Sequence, residues 1–111
     1  MSGLTVFDKE EALERLANNE EMLVMLLKHF EKDVQGCFDG LQTLLAQQDF
    51  QQAHTHIHTL KGTAANLSLK LFSETCAAID NKLRAEQLPS DGELANLEQA
   101  QRDTLALIAG L

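Results

Sequence analysis

The chain has no Trp, no Tyr, one Pro and two Cys among 111 residues. With few sheet-forming aromatics and abundant Leu, Ala, Gln and Glu, the composition disfavours strands and favours helices. Cys37 and Cys76 show no CxxC spacing, which argues against a secreted disulfide framework and a cysteine zinc site. Both fall inside helical patterns and read as reduced thiols of a core. No apolar run approaches the ~20 residues of a membrane span. Met1-Ser2-Gly3-Leu4 lacks the basic and apolar regions of a signal peptide, so a cytoplasmic location is expected. Basic charge is also scarce. Against 17 Asp+Glu stand only 9 Lys+Arg, a net charge of -8, which speaks against nucleic acid or an anionic membrane as partner. There is no Gly-rich nucleotide loop, HExxH or GxSxG, so a kinase or hydrolase of those types is not expected.

What is present suffices for one compact domain, residues 1–111, since 44% of the residues are hydrophobic and folding at this length buries roughly 60–70% of the chain's surface. Asp8, with Glu11 three residues on, opens a short helix over 9–17. Asn19 caps a long helix over 20–46, in which Leu23, Leu26, Phe30, Val34, Cys37, Leu41 and Leu44 alternate by 3 and 4 residues. Gly36 and Gly40 weaken this helix without breaking its period. Asp49 and Gln52 open a third helix, 50–67, on the stripe Phe50, Ala53, Ile57, Leu60, Ala64 and Leu67. A phase shift near Ser68 leads to a fourth, 70–86, carrying Phe72, Cys76, Ile79 and Leu83. After the Pro89 loop, Ser90 and Glu93 form a capping box for a fifth, 92–109, with Leu94, Leu97, Leu105 and Ile108. Gln101 interrupts that last stripe, as either a water-facing gap or a buried hydrogen bond. Four amphipathic helices with short loops favour an all-α, antiparallel up-down-up-down four-helix bundle with a short N-terminal capping helix.

The chemistry lies on the outer side of the third helix. There His58 is turned away from the stripe of Ile57 and Ala64, and its helix neighbours are His54, Thr55, Lys61 and Gly62, with Ala65 further on. Neutral imidazole is a good nitrogen nucleophile near pH 7. Lys61 can balance added negative charge on the ring, while Gly62 and Ala65 leave it approachable. His54 and His58 have the i, i+4 spacing of paired zinc ligands. Further ligands are not evident and Lys61 opposes a cation, so no metal site is expected. His56 reads as a partly buried structural residue. Asp80 either orients a group near His58 or is a solvated residue. Met22, Val24 and Met25 are surface apolars or part of a docking patch.

His58-Thr59-Leu60-Lys61-Gly62-Thr63-Ala64-Ala65-Asn66-Leu67 resembles the H-x-L-K-G-(S/T)-A-x-N-L signature of histidine-containing phosphotransfer (HPt) domains. Phe7-Asp8, Leu26-Leu27-x-x-Phe30 and Cys76-Ala77-Ala78-Ile79-Asp80 are similar to the same family's pattern. The resemblance implies a phosphorelay carrier without kinase activity of its own. His58 would be its phosphoacceptor, Lys61 its charge support, and Gly62, Ala65 and His54 the docking surroundings. It further implies response-regulator receiver domains and a hybrid sensor kinase as partners, no cofactor of the chain's own, Mg²⁺ on the receiver, and a monomer. Met1 and the capped start just after it favour a free-standing protein. Family members usually carry Gly where this chain has Ser68, at a junction that favours a left-handed residue. The alternative function is a helical interaction module in which His58 is incidental.

Overall fold

The computed structural model describes residues 5–111; Met1 to Leu4 and the reading made of them lie outside it. Among the described residues there are helices and no strands. They are α1 (Lys9–Arg15), α2 (Glu20–Gln35), α3 (Cys37–Ala46), α4 (Phe50–Asn66), α5 (Lys70–Arg84) and α6 (Asp91–Ala109). The caps are those the sequence marks. Asp8, Asn19 and Asp49 each accept from the backbone N–H three residues on, and Ser90 and Glu93 exchange both bonds of a capping box.

One expectation is corrected. The helix foreseen over 20–46 is interrupted at Gly36, whose φ of -107° and ψ of 11° are not helical. Glycine weakens a helix interior, and the groups freed here find a partner on α6. Gln101 Oε1 accepts from the Phe38 N–H at 2.9 Å and from the Cys37 thiol at 3.0 Å, while its amide nitrogen donates to the Gln35 carbonyl at 3.3 Å. Gln101 is therefore a splint across the break. The hydrophobic period survives it, because Val34 before the gap and Cys37 and Leu41 after it are all buried.

The buried apolar residues form one cluster drawn from every helix. The most extensive helix contact is α4 against α5. Further contacts link α5 to α6, α6 to both α2 and α3, and α3 to α4, while α1 packs on α2. On α6 the fully buried line is Leu97, Ala100, Thr104 and Ile108, with Leu94 and Leu105 only half-buried. Both thiols are buried and free, and burial pushes the Cys37 thiol up to about 12 and the Cys76 thiol higher still.

The turn from α4 to α5 depends on Ser68, which has a φ of 58° and is completely buried. A left-handed conformation costs a non-glycine residue roughly 1–2 kcal/mol. The hydroxyl offsets this by donating to Glu11 Oε1 at 2.8 Å and accepting from Arg15 at 2.7 Å, and the Ser68 carbonyl accepts the Asp8 N–H at 2.9 Å. The departure from glycine thus fastens α1 to the corner between α4 and α5.

Candidate functional site

Helix α4 buries Ala53, Ile57, Leu60 and Ala64 completely or nearly so. Burying that face fixes the rotation of the helix and turns His58 outward. Its side chain is 55% exposed, and that of Lys61 28% exposed. Gly62 and Ala65 are exposed on the same side. A Cβ added at Gly62 would meet nothing within 4 Å. Glycine inside a helix costs about 0.5–1 kcal/mol relative to alanine. Nothing within the fold requires it, and the space beside His58 is open.

Helix α5 adds what the motif leaves out. Asp80 is completely buried, yet its Oδ2 accepts from Lys61 Nζ at 3.0 Å and from Arg84 at 3.3 Å, and lies 3.5 Å from His58 Nδ1. Burial pushes this carboxyl up, but the Lys61 and His58 hydrogen bonds and the positive charge of Lys61 outweigh it and hold the group below its ordinary range. It is therefore a carboxylate at neutral pH. An ionised carboxylate only accepts, so a neutral His58 beside it carries its proton on Nδ1 and leaves the Nε2 lone pair free. The arrangement can present an exposed nitrogen nucleophile, held in one tautomer, beside an ammonium group.

His54 is brought into the same cluster. Its ring stacks on that of His58 at a centroid distance of 5.3 Å, and its Nε2 lies 2.9 Å from Asp80 Oδ1. His54, His58, Lys61, Gly62 and Ala65 thus share one surface. His56 faces elsewhere, half-buried, with Nε2 3.0 Å from the Cys37 carbonyl. It lines a groove of about 400 Å³ with Phe30, Asp33, Leu44 and Thr59, and His58 takes no part in that groove. Met22 and Met25 are exposed and Val24 is half-buried. The residue whose part the motif does not reveal is Asp80. Its place beside Cys76, Ile79 and Leu83 on the core phase of α5 was the available signal, masked by its charge.

The Hpt domain family model matches residues 25–109, which include the whole of α3, α4, α5 and α6. No curated protein and no solved structure matches the chain.

Proposed function

The chain belongs to the Hpt domain family, and from that premise we propose that it is a phosphorelay carrier in which His58 accepts a phosphoryl group from a receiver-domain aspartyl phosphate and passes it to another receiver. The observation that carries this reading is an exposed His58 with Asp80 at its Nδ1 and Lys61 on the same carboxylate. In transfer, the Nε2 lone pair attacks phosphorus as the acyl-phosphate P–O bond breaks and the aspartate leaves as a carboxylate. The ring then holds phosphorus on Nε2 and a proton on Nδ1. Asp80 offsets the resulting ring charge, and Lys61 lies close enough to balance the phosphoryl oxygens. Return to a second receiver reverses the step. The receiver contributes the acidic pocket and Mg²⁺, so this chain needs no cofactor of its own and no nucleotide site.

The ring of helix contacts from α4 through α5 and α6 to the α2–α3 pair fits an antiparallel up-down-up-down bundle with α1 as its cap. We read residues 1–111 as one such domain, acting as a monomer in the cytoplasm between a hybrid sensor kinase and response regulators. Among the described residues no helix is long and apolar enough to cross a membrane.

The test is incubation of the purified chain with a phosphorylated receiver domain and Mg²⁺. The expected product is an acid-labile, base-stable adduct that His58→Gln abolishes. Lys61→Ala should slow its formation by roughly 5- to 30-fold, the equivalent of about 1–2 kcal/mol for one partly exposed charge-assisted contact. Full labelling of His58→Gln would overturn the assignment, and partner signalling that persists in this variant would favour a plain interaction module.

A further inference from the structure

Phosphoryl acceptance by His58 makes no use of Asp80 Oδ1 or of His54. Asp80 is completely buried, and all three hydrogen bonds to it fall on Oδ2. Oδ1 has only His54 Nε2 beside it, at 2.9 Å. The two are not aligned for a hydrogen bond, so both buried atoms are unpaired. Leaving a buried acceptor without a donor is costly, and these two unpaired atoms lie side by side. His58, one turn along α4, closes the third side, so that one ligand atom from each of the three side chains lies within 4.8 Å of the others.

We propose that His54, His58 and Asp80 form a binding site for a divalent cation of the zinc type, and that its occupancy shuts off phosphoryl acceptance at His58. The sequence alone argues against a metal here for want of a third ligand, and the fold supplies one from α5. Two imidazoles and a carboxylate are a donor set that suits Zn²⁺, with bonds of about 2.0–2.2 Å and a fourth position left for water. Such bonds place tetrahedral ligand atoms about 3.3 Å apart. The His54–Asp80 separation is close to that already, and the exposed His58 ring is the one free to rotate inward. Lys61 and Arg84 both bond Oδ2 and leave Oδ1 to the cation. Their positive charge opposes the cation and weakens its hold, which favours reversible binding. Mg²⁺ prefers oxygen ligands and sheds its water reluctantly, so the cation of the transfer reaction does not compete. The thiols do not compete either, being buried and held protonated.

The shut-off follows from the tautomer and rests on the reading of His58 as the acceptor. A neutral imidazole has one proton and one free nitrogen lone pair. When the cation takes the Nδ1 lone pair, the ring proton moves through solvent from Nδ1 to Nε2. No electron is exchanged and no net proton is released. Nε2 is then an N–H group and cannot attack phosphorus.

Calorimetric titration of Zn²⁺ into the full chain, paired with the receiver transfer assay in Mg²⁺ with and without Zn²⁺, tests the proposal. One equivalent should bind with micromolar affinity, and His54→Gln and Asp80→Asn should each weaken it by about tenfold or more. Saturating Zn²⁺ should slow transfer to the wild type by at least about tenfold. His54→Gln, compared with its own zinc-free rate, should need at least about tenfold more Zn²⁺ than the wild type for the same slowing, which separates the effect from any action of Zn²⁺ on the receiver. Absence of binding, binding unchanged in both variants, or an unaltered transfer rate at saturation would each overturn the proposal. If the zinc-free wild type accepts no phosphoryl group while Zn²⁺ binds in the expected variant pattern, the reading of His58 as acceptor fails and the cation site stands.

Discussion

Asp80 on the α4–α5 face and Glu11 at the α4–α5 corner are each surrounded by basic side chains, but only the ring around Glu11 is closed. Glu11 Oε1 accepts from Arg15 at 2.7 Å and from Ser68 at 2.8 Å, and Oε2 accepts from Lys70 at 2.8 Å. The Glu11 side chain is also 32% exposed, so water reaches what the protein does not bond. Asp80 is completely buried, carries its hydrogen bonds on one oxygen, and holds a ring that is itself more than half exposed. A carboxylate with both oxygens satisfied fastens two pieces of chain together. One with an oxygen to spare, set under a solvent-facing imidazole, retains the capacity to bind or to orient.

Substitutions at Ser68 give the largest effect expected at the closed ring. Ser68→Ala keeps the left-handed backbone and loses both hydroxyl bonds to charged partners, which should destabilise the chain by about 2 kcal/mol. Ser68→Gly loses the same bonds but relieves roughly 1 kcal/mol of backbone strain, so it should be the milder change. Urea midpoints at equal slope measure both. If alanine proves no worse than glycine, the left-handed strain assigned to Ser68 is absent.

At the open ring the readout is chemical. Asp80→Asn should slow phosphoryl acceptance by about tenfold, the equivalent of one charge-assisted hydrogen bond of about 1.4 kcal/mol. Glu11→Gln should leave the rate within about twofold, because its partners hold α1 rather than His58. Equal losses in the two variants would mean that both carboxylates act through general stability, and the distinction between them would fail.

Much of this organisation is legible in the sequence. The caps at Asp8, Asn19, Asp49 and Ser90 are local signals, and the helix starts follow from them closely. The outward turn of His58 follows from the phase of Ile57 and Ala64. Three features resist that reading because they depend on long-range partners. The break at Gly36 is stabilised by Gln101, more than sixty residues away, and the unbroken period of Val34, Cys37 and Leu41 conceals it. Asp80 occupies a core phase with a surface residue's chemistry, and only the neighbouring helix reveals its cations. Ser68 stands out as the exception to a glycine pattern, but the bonds that make it tolerable come from α1.

A smaller effect separates the two regions by what each does with stability. The closed ring adds to it, whereas the face around the open ring gives some up at Gly62. Gly62→Ala should stabilise the isolated chain by about 0.5–1 kcal/mol, since a helical alanine there meets open space. The same variant should slow transfer from a receiver, and a longer side chain should slow it more. Stabilisation without any loss of transfer would show that the gap beside His58 is not used in docking.

The smallest effect is confined to acid, where the two carboxylates should titrate independently. The Lys70 and Ser68 hydrogen bonds hold Glu11 at about 2, against an ordinary value of about 4.3 for the unfolded chain. A folded-state value below the unfolded one contributes stability that is complete above about pH 4.3 and is lost as pH falls toward 2. Asp80 is also depressed, so its contribution is lost in acid as well, and neither group gives any change near neutrality. Carbon-13 detection of the side-chain carboxyls follows each group separately. Glu11 should show its midpoint near 2 in the wild type, and Ser68→Ala should raise it, because the hydroxyl is one of its two principal partners. The Asp80 midpoint should not move in that variant, since none of its own partners contacts Ser68. An ordinary midpoint for Glu11 in the wild type would mean that the corner is not closed in solution. A shift of Asp80 in Ser68→Ala would mean that the two rings are one network, and that the corner which fastens α1 also bears on the histidine.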